Sequence, residues 1–211
     1  MRGIILSVIC WGLSAAAWAE PSSLVAWTPT TLKFVKQGNA ENGKTLANGC
    51  VGCHNKDNAA PNLDGQLPTY LYKQLLDYRN GSRKDPTGTM NGMAAALLKD
   101  DQAVADVSAW YAQQPPMKGP GGASDSSGIV AVGDGKRMEP ACASCHGRAG
   151  QGEKVDTPRL SGQKAGYLEQ TLLGYKSKAR GNDIYSRMRL IASKLSEQEI
   201  KLLAEYYSKL D

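Results

Sequence analysis

Cys50-Val51-Gly52-Cys53-His54 and Cys142-Ala143-Ser144-Cys145-His146 are the two stretches on which this sequence turns. A C-x-x-C pair followed at once by histidine is the attachment pattern of a c-type haem. Thiols separated by two residues reach the two vinyl groups of one porphyrin edge as thioethers. The next residue then lies under the ring, where its imidazole can bind iron. The expectation is two covalently bound haem c groups, held by Cys50, Cys53, Cys142 and Cys145, with His54 and His146 as iron ligands. These are the only two histidines of the 211 residues.

Other uses of paired cysteines fit less well. Two disulfides are chemically permitted in an exported chain, but a disulfide has no need of an adjacent histidine, still less twice. A zinc ribbon brings its two pairs within roughly 15–20 residues of each other, whereas these begin 92 residues apart. A thioredoxin-like redox pair requires a βαβ context, and no stretch alternates as a strand.

Working outward, each motif heads a copy of one repeat. Pro61-Asn62-Leu63-Asp64-Gly65-Gln66, Tyr70-Leu71, Leu75-Leu76 and Tyr78 recur, 97 residues on, as Pro158-Arg159-Leu160-Ser161-Gly162-Gln163, Tyr167-Leu168, Leu172-Leu173 and Tyr175. Both copies then run to a methionine, a leucine seven residues later, and a helix ending in Trp110-Tyr111 or Tyr206-Tyr207. Apolar spacing of three and four predicts helices over 69–78 and 164–176. Helices are also expected over 40–48, 103–113 and 196–210, the last opening on a Ser-Glu-Gln-Glu capping signature. Residues 114–128, rich in Pro, Gly and Ser, read as a linker. Gly65-Gln66 and Gly162-Gln163 read as helix-entry turns, with haem propionate contacts as the sharper alternative.

The N-terminus has its own logic. Arg2, an apolar stretch from Ile4 to Ala17 and Ala17-Trp18-Ala19 form an export signal with cleavage before Glu20, which also removes Cys10. The expected layout is a signal peptide (1–19), an N-terminal extension (20–39) of unassigned role, a first domain (40–118), a linker (119–128) and a second domain (129–211). Location in the periplasm follows. The full chain carries a net charge of +5, too little for a nucleic-acid footprint, and no internal apolar run is long enough to span a membrane.

These motifs, with Leu195-Ser196-Glu197-Gln198-Glu199-Ile200, resemble the dihaem cytochrome c4 family over about residues 40–211. The resemblance implies an all-α fold of two tandem class I cytochrome c domains, each wrapped around one covalent haem. It implies a carrier of single electrons, not an enzyme in itself. It places a methionine opposite each histidine: Met188 in the second domain, and in the first Met90, seven residues before Leu97, with Met93 as the competitor. No third histidine or spare mature cysteine is present to take that position. A soft thioether opposite imidazole raises the potential and closes the iron to oxygen species. Pro61 and Pro158 are the positions from which the family's proline carbonyl orients the proximal histidine.

Two functions share this chemistry. One is a monomeric periplasmic carrier between a quinol-oxidising complex or a dehydrogenase and a haem–copper oxidase, with peripheral membrane association compatible with that role. The other is the dihaem electron-accepting subunit of a larger dehydrogenase, such as a flavocytochrome c sulfide dehydrogenase. Lys176, Lys178, Arg180, Arg187 and Arg189 cluster in sequence around Met188, which suggests a basic face for steering an acidic partner. A merely solvated basic surface explains the same cluster equally well.

Overall fold

A computed structural model describes residues 23–153 and 155–211. The signal-peptide reading of residues 1–19 and the first residues of the extension lie outside the described residues. Among these, the structure is all helical apart from a single isolated bridge between Asp134 and Glu139. No helix of the described residues is long and apolar enough to cross a membrane.

The first half contains α1 (Pro29–Lys36), α2 (Ala40–Ala47), α3 (Pro68–Asn80), α4 (Thr89–Leu97) and α5 (Asp101–Gln113). Thr28, Asn39 and Asp100 cap α1, α2 and α5 through side-chain oxygens that accept backbone N–H groups, which satisfies donors the helix itself cannot. Helix α2 lies so close on α5 that a Cβ at Gly43 would fall 2.0 Å from the Asp106 carbonyl oxygen. Only glycine allows that approach. Val35, Leu71, Tyr72, Val104, Val107 and Tyr111 are buried in the core between these helices.

The second half contains α6 (Ala143–His146), α7 (Ala165–Lys176), a 3-10 turn (Ile184–Ser186), α8 (Arg187–Ala192) and α9 (Glu197–Lys209). Its core gathers Ile129, Val130, Leu168, Leu195, Ile200, Leu203 and Tyr207. Helix α9 opens with a full capping box, Ser196 and Glu199 each accepting the other's backbone N–H.

Three features add to the sequence reading. The extension is built into the first half: Phe34 and Trp27 pack against its core and Val35 is inside it. The second half has no counterpart of α2; turns and a cluster centred on Arg137 take its place, with Asp134, Glu139 and Glu199 around the guanidinium. The Pro/Gly-rich connection is not a free tether. Gly119 and Gly121 donate to the carbonyls of Leu210 and Lys209 (2.8 and 3.0 Å), so it runs along the end of α9.

Candidate functional site: two histidine–methionine centres and the seam between them

In the first half, Cys50 to His54 form the turns that follow α2. In the second, Ala143 to His146 form the single turn of α6. Each motif histidine is held from behind. His54 Nδ1 donates to the Pro61 carbonyl at 2.8 Å and His146 Nδ1 to the Pro158 carbonyl at 3.0 Å. A carbonyl can only accept, so the proton sits on Nδ1 and Nε2 is left bare for a metal. Burial pushes both imidazoles below the usual histidine value, which keeps them neutral, as ligation requires. For His54 the proline bond opposes that shift, and the charges of Lys164 and Arg83 add to it.

The methionines come from helices built alike. Helix α4 starts from Gly88 in the left-handed region (φ 73°) and α8 from Ser186, also left-handed (φ 56°). Met90 and Met188 are each the second residue beyond. Met90 Sδ lies 3.5 Å from His54 Nε2. Met93 points elsewhere and is exposed. Met188 lies on α8, which packs against α7, and makes no such direct contact with His146 among the described residues.

The first cysteine of each pair is half-buried against the aromatic end of the C-terminal helix of its half. Cys50 faces the Tyr111 hydroxyl and Cys142 the Tyr207 hydroxyl. Burial pushes both thiols up, Cys142 to about 11. Among the described residues no two cysteines are joined as a disulfide.

Between the halves lies a polar seam. Gln66 accepts from Arg159 N (2.8 Å) and donates to Arg159 O (3.0 Å). Gln163 accepts from Asn62 N and donates to Asn62 O (both 2.9 Å). Arg83 stacks on Tyr78 of its own half and donates to the Tyr167 hydroxyl of the other; Arg180 stacks on Tyr175 and donates to the Tyr70 hydroxyl. Burial alone would raise Tyr167, but the two guanidiniums pull it down to about 7. A buried ion pair, Lys73–Asp77 at 2.6 Å, also crosses: Lys73 donates to Asn182 O, Asn182 Nδ2 to Asp77, and Ser23 of the extension to the remaining Asp77 oxygen at 2.7 Å.

A haem fits this arrangement. Arg180 Nη1 and Arg159 Nε are buried donors with no partner, and Arg83 is met by the Gln74 amide oxygen and the Tyr167 hydroxyl rather than by a carboxylate. Unanswered guanidinium donors call for anionic acceptors, which the two carboxylate arms of a haem supply. The sequence reading placed these residues but missed their job. Gln66, Gln163, Tyr70 and Tyr167 were visible as repeat positions, yet nothing in one strand of sequence says that they bond across the repeat.

The expected steering cluster is largely consumed by internal contacts. Arg187 pairs with Asp156 and Arg189 with Asp183. Lys176 donates to the Leu195 carbonyl, and Arg180 faces the seam. Around Met188, Tyr185 and Leu190 are exposed, 86% and 61% accessible, beside the exposed Arg187.

Comparison with known proteins agrees with this geometry. The Cytochrome c family model matches residues 40–114 and 134–211. A cytochrome c4 of Thiocapsa roseopersicina is 37% identical over 184 residues, covering 82% of this chain and 93% of the relative. A thiosulfate dehydrogenase electron acceptor of Stutzerimonas stutzeri (strain A1501) is 31% identical over 212 residues, covering 96% of this chain and 95% of its own. The crystal structure of reduced recombinant cytochrome c4 from Pseudomonas stutzeri superposes with a TM-score of 0.74 at 31% identity, over 82% of this chain and all of that one.

Proposed function

This chain belongs to the cytochrome c family and carries two covalent haem c groups, and from that premise we propose that it relays single electrons in the periplasm through two histidine–methionine centres, His54/Met90 and His146/Met188. The two haem-bearing units are residues 40–118 and 129–211. Each haem, when bound, supplies a one-electron Fe(III)/Fe(II) couple. The chain's residues do the rest. Cys50, Cys53, Cys142 and Cys145 anchor the ring edges. Pro61 and Pro158 hold the Nδ1 protons, so the imidazoles neither rotate nor change protonation as the charge changes. Met90 and Met188 would hold each haem iron on the side away from its histidine, which would exclude oxygen species and suit electron transfer over turnover of a bound substrate.

The observation that carries this reading is the line Pro61 O, His54 Nδ1, His54 Nε2, Met90 Sδ in the first half. A redox titration with optical detection tests it. Two low-spin centres, each passing one electron and neither binding carbon monoxide in the ferrous state, are expected. A centre that binds carbon monoxide readily has an open axial site and contradicts the assignment.

For partners, the first reading is a donor such as a quinol-oxidising complex or a dehydrogenase, and a haem–copper oxidase as acceptor. The second is a dedicated electron acceptor of a larger dehydrogenase. One observation favours the second. A match covering 96% of this chain must take in most of the residues before 40, and it is to a thiosulfate dehydrogenase electron acceptor. The cytochrome c4 match covers 82%. Contact near the second haem would be made through Tyr185 and Leu190 rather than through the paired arginines. Co-purification from the native periplasm separates the two readings: a stoichiometric dehydrogenase polypeptide supports the second and a chain isolated alone the first.

A further inference from the structure

Lys164 is the residue before α7 in the second half, yet its side chain serves the first. Its ammonium donates to three backbone carbonyls, those of Asn55, Asn58 (2.6 Å) and Ala60 (2.6 Å). All three lie between His54 and Pro61, in the loop that runs from the motif histidine to the carbonyl that orients it. Lys164 is half-buried there. The only acidic side chain in that loop is Asp57, which is exposed.

Several seam contacts come in matched pairs, Gln66 with Gln163, Tyr70 with Tyr167 and Arg83 with Arg180. Here the symmetry fails. The position matching Lys164, 97 residues earlier, is Leu67, which has no charge to offer. Among the described residues, the second histidine's loop receives from the first half a neutral hydroxyl, Thr69 Oγ1 donating to the Val155 carbonyl. One haem site therefore has a fixed cation from the opposite half bonded into its proximal loop, and the other does not.

We infer that Lys164 is an interdomain positioning residue that raises the reduction potential of the first haem and leaves the second nearly untouched. The inference rests on the reading of His54 and His146 as the proximal ligands. A fixed positive charge at the edge of a half-buried site favours the form of the iron with one positive charge fewer. The three bonds hold the charge in place, so it needs no reorganisation when the electron arrives. The second half thus sets part of the energy difference between the two haems, and with it the haem on which a single electron rests.

The test is a spectroelectrochemical titration of the holoprotein in a Met188→His background, where a second imidazole moves the second haem to lower potential and leaves the first haem's wave isolated. In that background Lys164→Gln and Lys164→Met are expected to lower the first wave, changing its ferrous-to-ferric ratio about three- to tenfold at fixed potential; tenfold is about 59 mV for a one-electron couple. Lys164→Arg should stay close to the parent. Glutamine keeps two amide donors and removes the charge. A glutamine variant at the parent potential, with both haems in place, therefore overturns the inference. If Met188→His itself moves neither wave, the ligand assignment has failed instead. If the Lys164 variants move the second wave as much as the first, the asymmetry claimed here is wrong.

Discussion

Gln66 and Gln163 hold each other's half of the molecule by an exchanged pair of bonds: each side-chain amide clasps both backbone groups of one residue in the opposite loop, Arg159 for Gln66 and Asn62 for Gln163. Both glutamines are buried. Replacing either by alanine leaves a buried N–H and C=O without partners, at about 1–3 kcal/mol for the unsatisfied groups. Guanidinium unfolding of Gln66→Ala, Gln163→Ala and the double variant should show losses in that range with haem spectra unchanged. Full stability in both single variants would mean that the seam does not form in solution.

The buried ion pair at the same seam gives a larger effect. Asp77 and Lys73 are almost inaccessible, so Asp77→Ala strands an ammonium among neutral groups. Breaking such a pair on one side costs about 3–5 kcal/mol, whereas replacing both partners by apolar residues of similar volume is often neutral or better. Lys73→Met combined with Asp77→Leu should therefore recover much of the stability lost by Asp77→Ala, as read from thermal unfolding. A double variant as unstable as the single one would show that the loss has another origin.

Backbone strain distinguishes the two methionine helices. Gly88 accepts φ 73° without penalty, and a Cβ there would meet nothing within 4 Å; Ser186 adopts φ 56° with a side chain. Gly88→Ala should cost about 1 kcal/mol from conformation alone, and Ser186→Gly should gain a similar amount from removal of that strain, less the flexibility glycine adds to the unfolded chain. Chemical denaturation of the two variants should give opposite signs. Matching signs would contradict the left-handed start of one helix.

Acid should weaken the second half through Glu199. Hydrogen bonds from Arg137 and the capping box with Ser196 hold its carboxyl at about 2, against 4.5 as its ordinary value. A depressed carboxylate contributes stability that is complete above the unfolded value and is lost as pH falls through the folded one. The loss belongs to the window from about pH 4.5 to 2. Buried Glu139 beside it is pushed up by burial and acts in the opposite direction, so Glu199→Gln is the variant to compare. Its stability should fall less steeply across that window, and an unchanged slope would count against the pairing.

Much of this molecule was legible from its sequence because the informative residues were local. C-x-x-C-H names its own chemistry, the helices over 69–78, 103–113 and 164–176 follow from apolar spacing, and Ser196 announces a helix start. What escaped were contacts made at long range. Helix α1 and its Phe34 look like surplus until α3 and α5 are seen to need covering. Arg180 reads as part of a basic cluster until Tyr70 of the opposite half is seen to receive it, as Tyr167 receives Arg83. Arg187 and Arg189 read as a steering face because the carboxylates that neutralise them, Asp156 and Asp183, are placed beside them only by folding. The choice of Met90 over Met93 was favoured by its spacing from Leu97, and the structure adds the shared left-handed helix start.

The central claim, one methionine opposite each motif histidine, is tested most directly by the ferric sulfur-to-iron charge-transfer band. Its intensity should correspond to two thioether-ligated haems in the parent protein, should fall by about half in Met90→Ala and again in Met188→Ala, and should be unaffected by Met93→Ala. Full intensity in Met90→Ala or Met188→Ala, with both haems still covalently attached, would contradict the account.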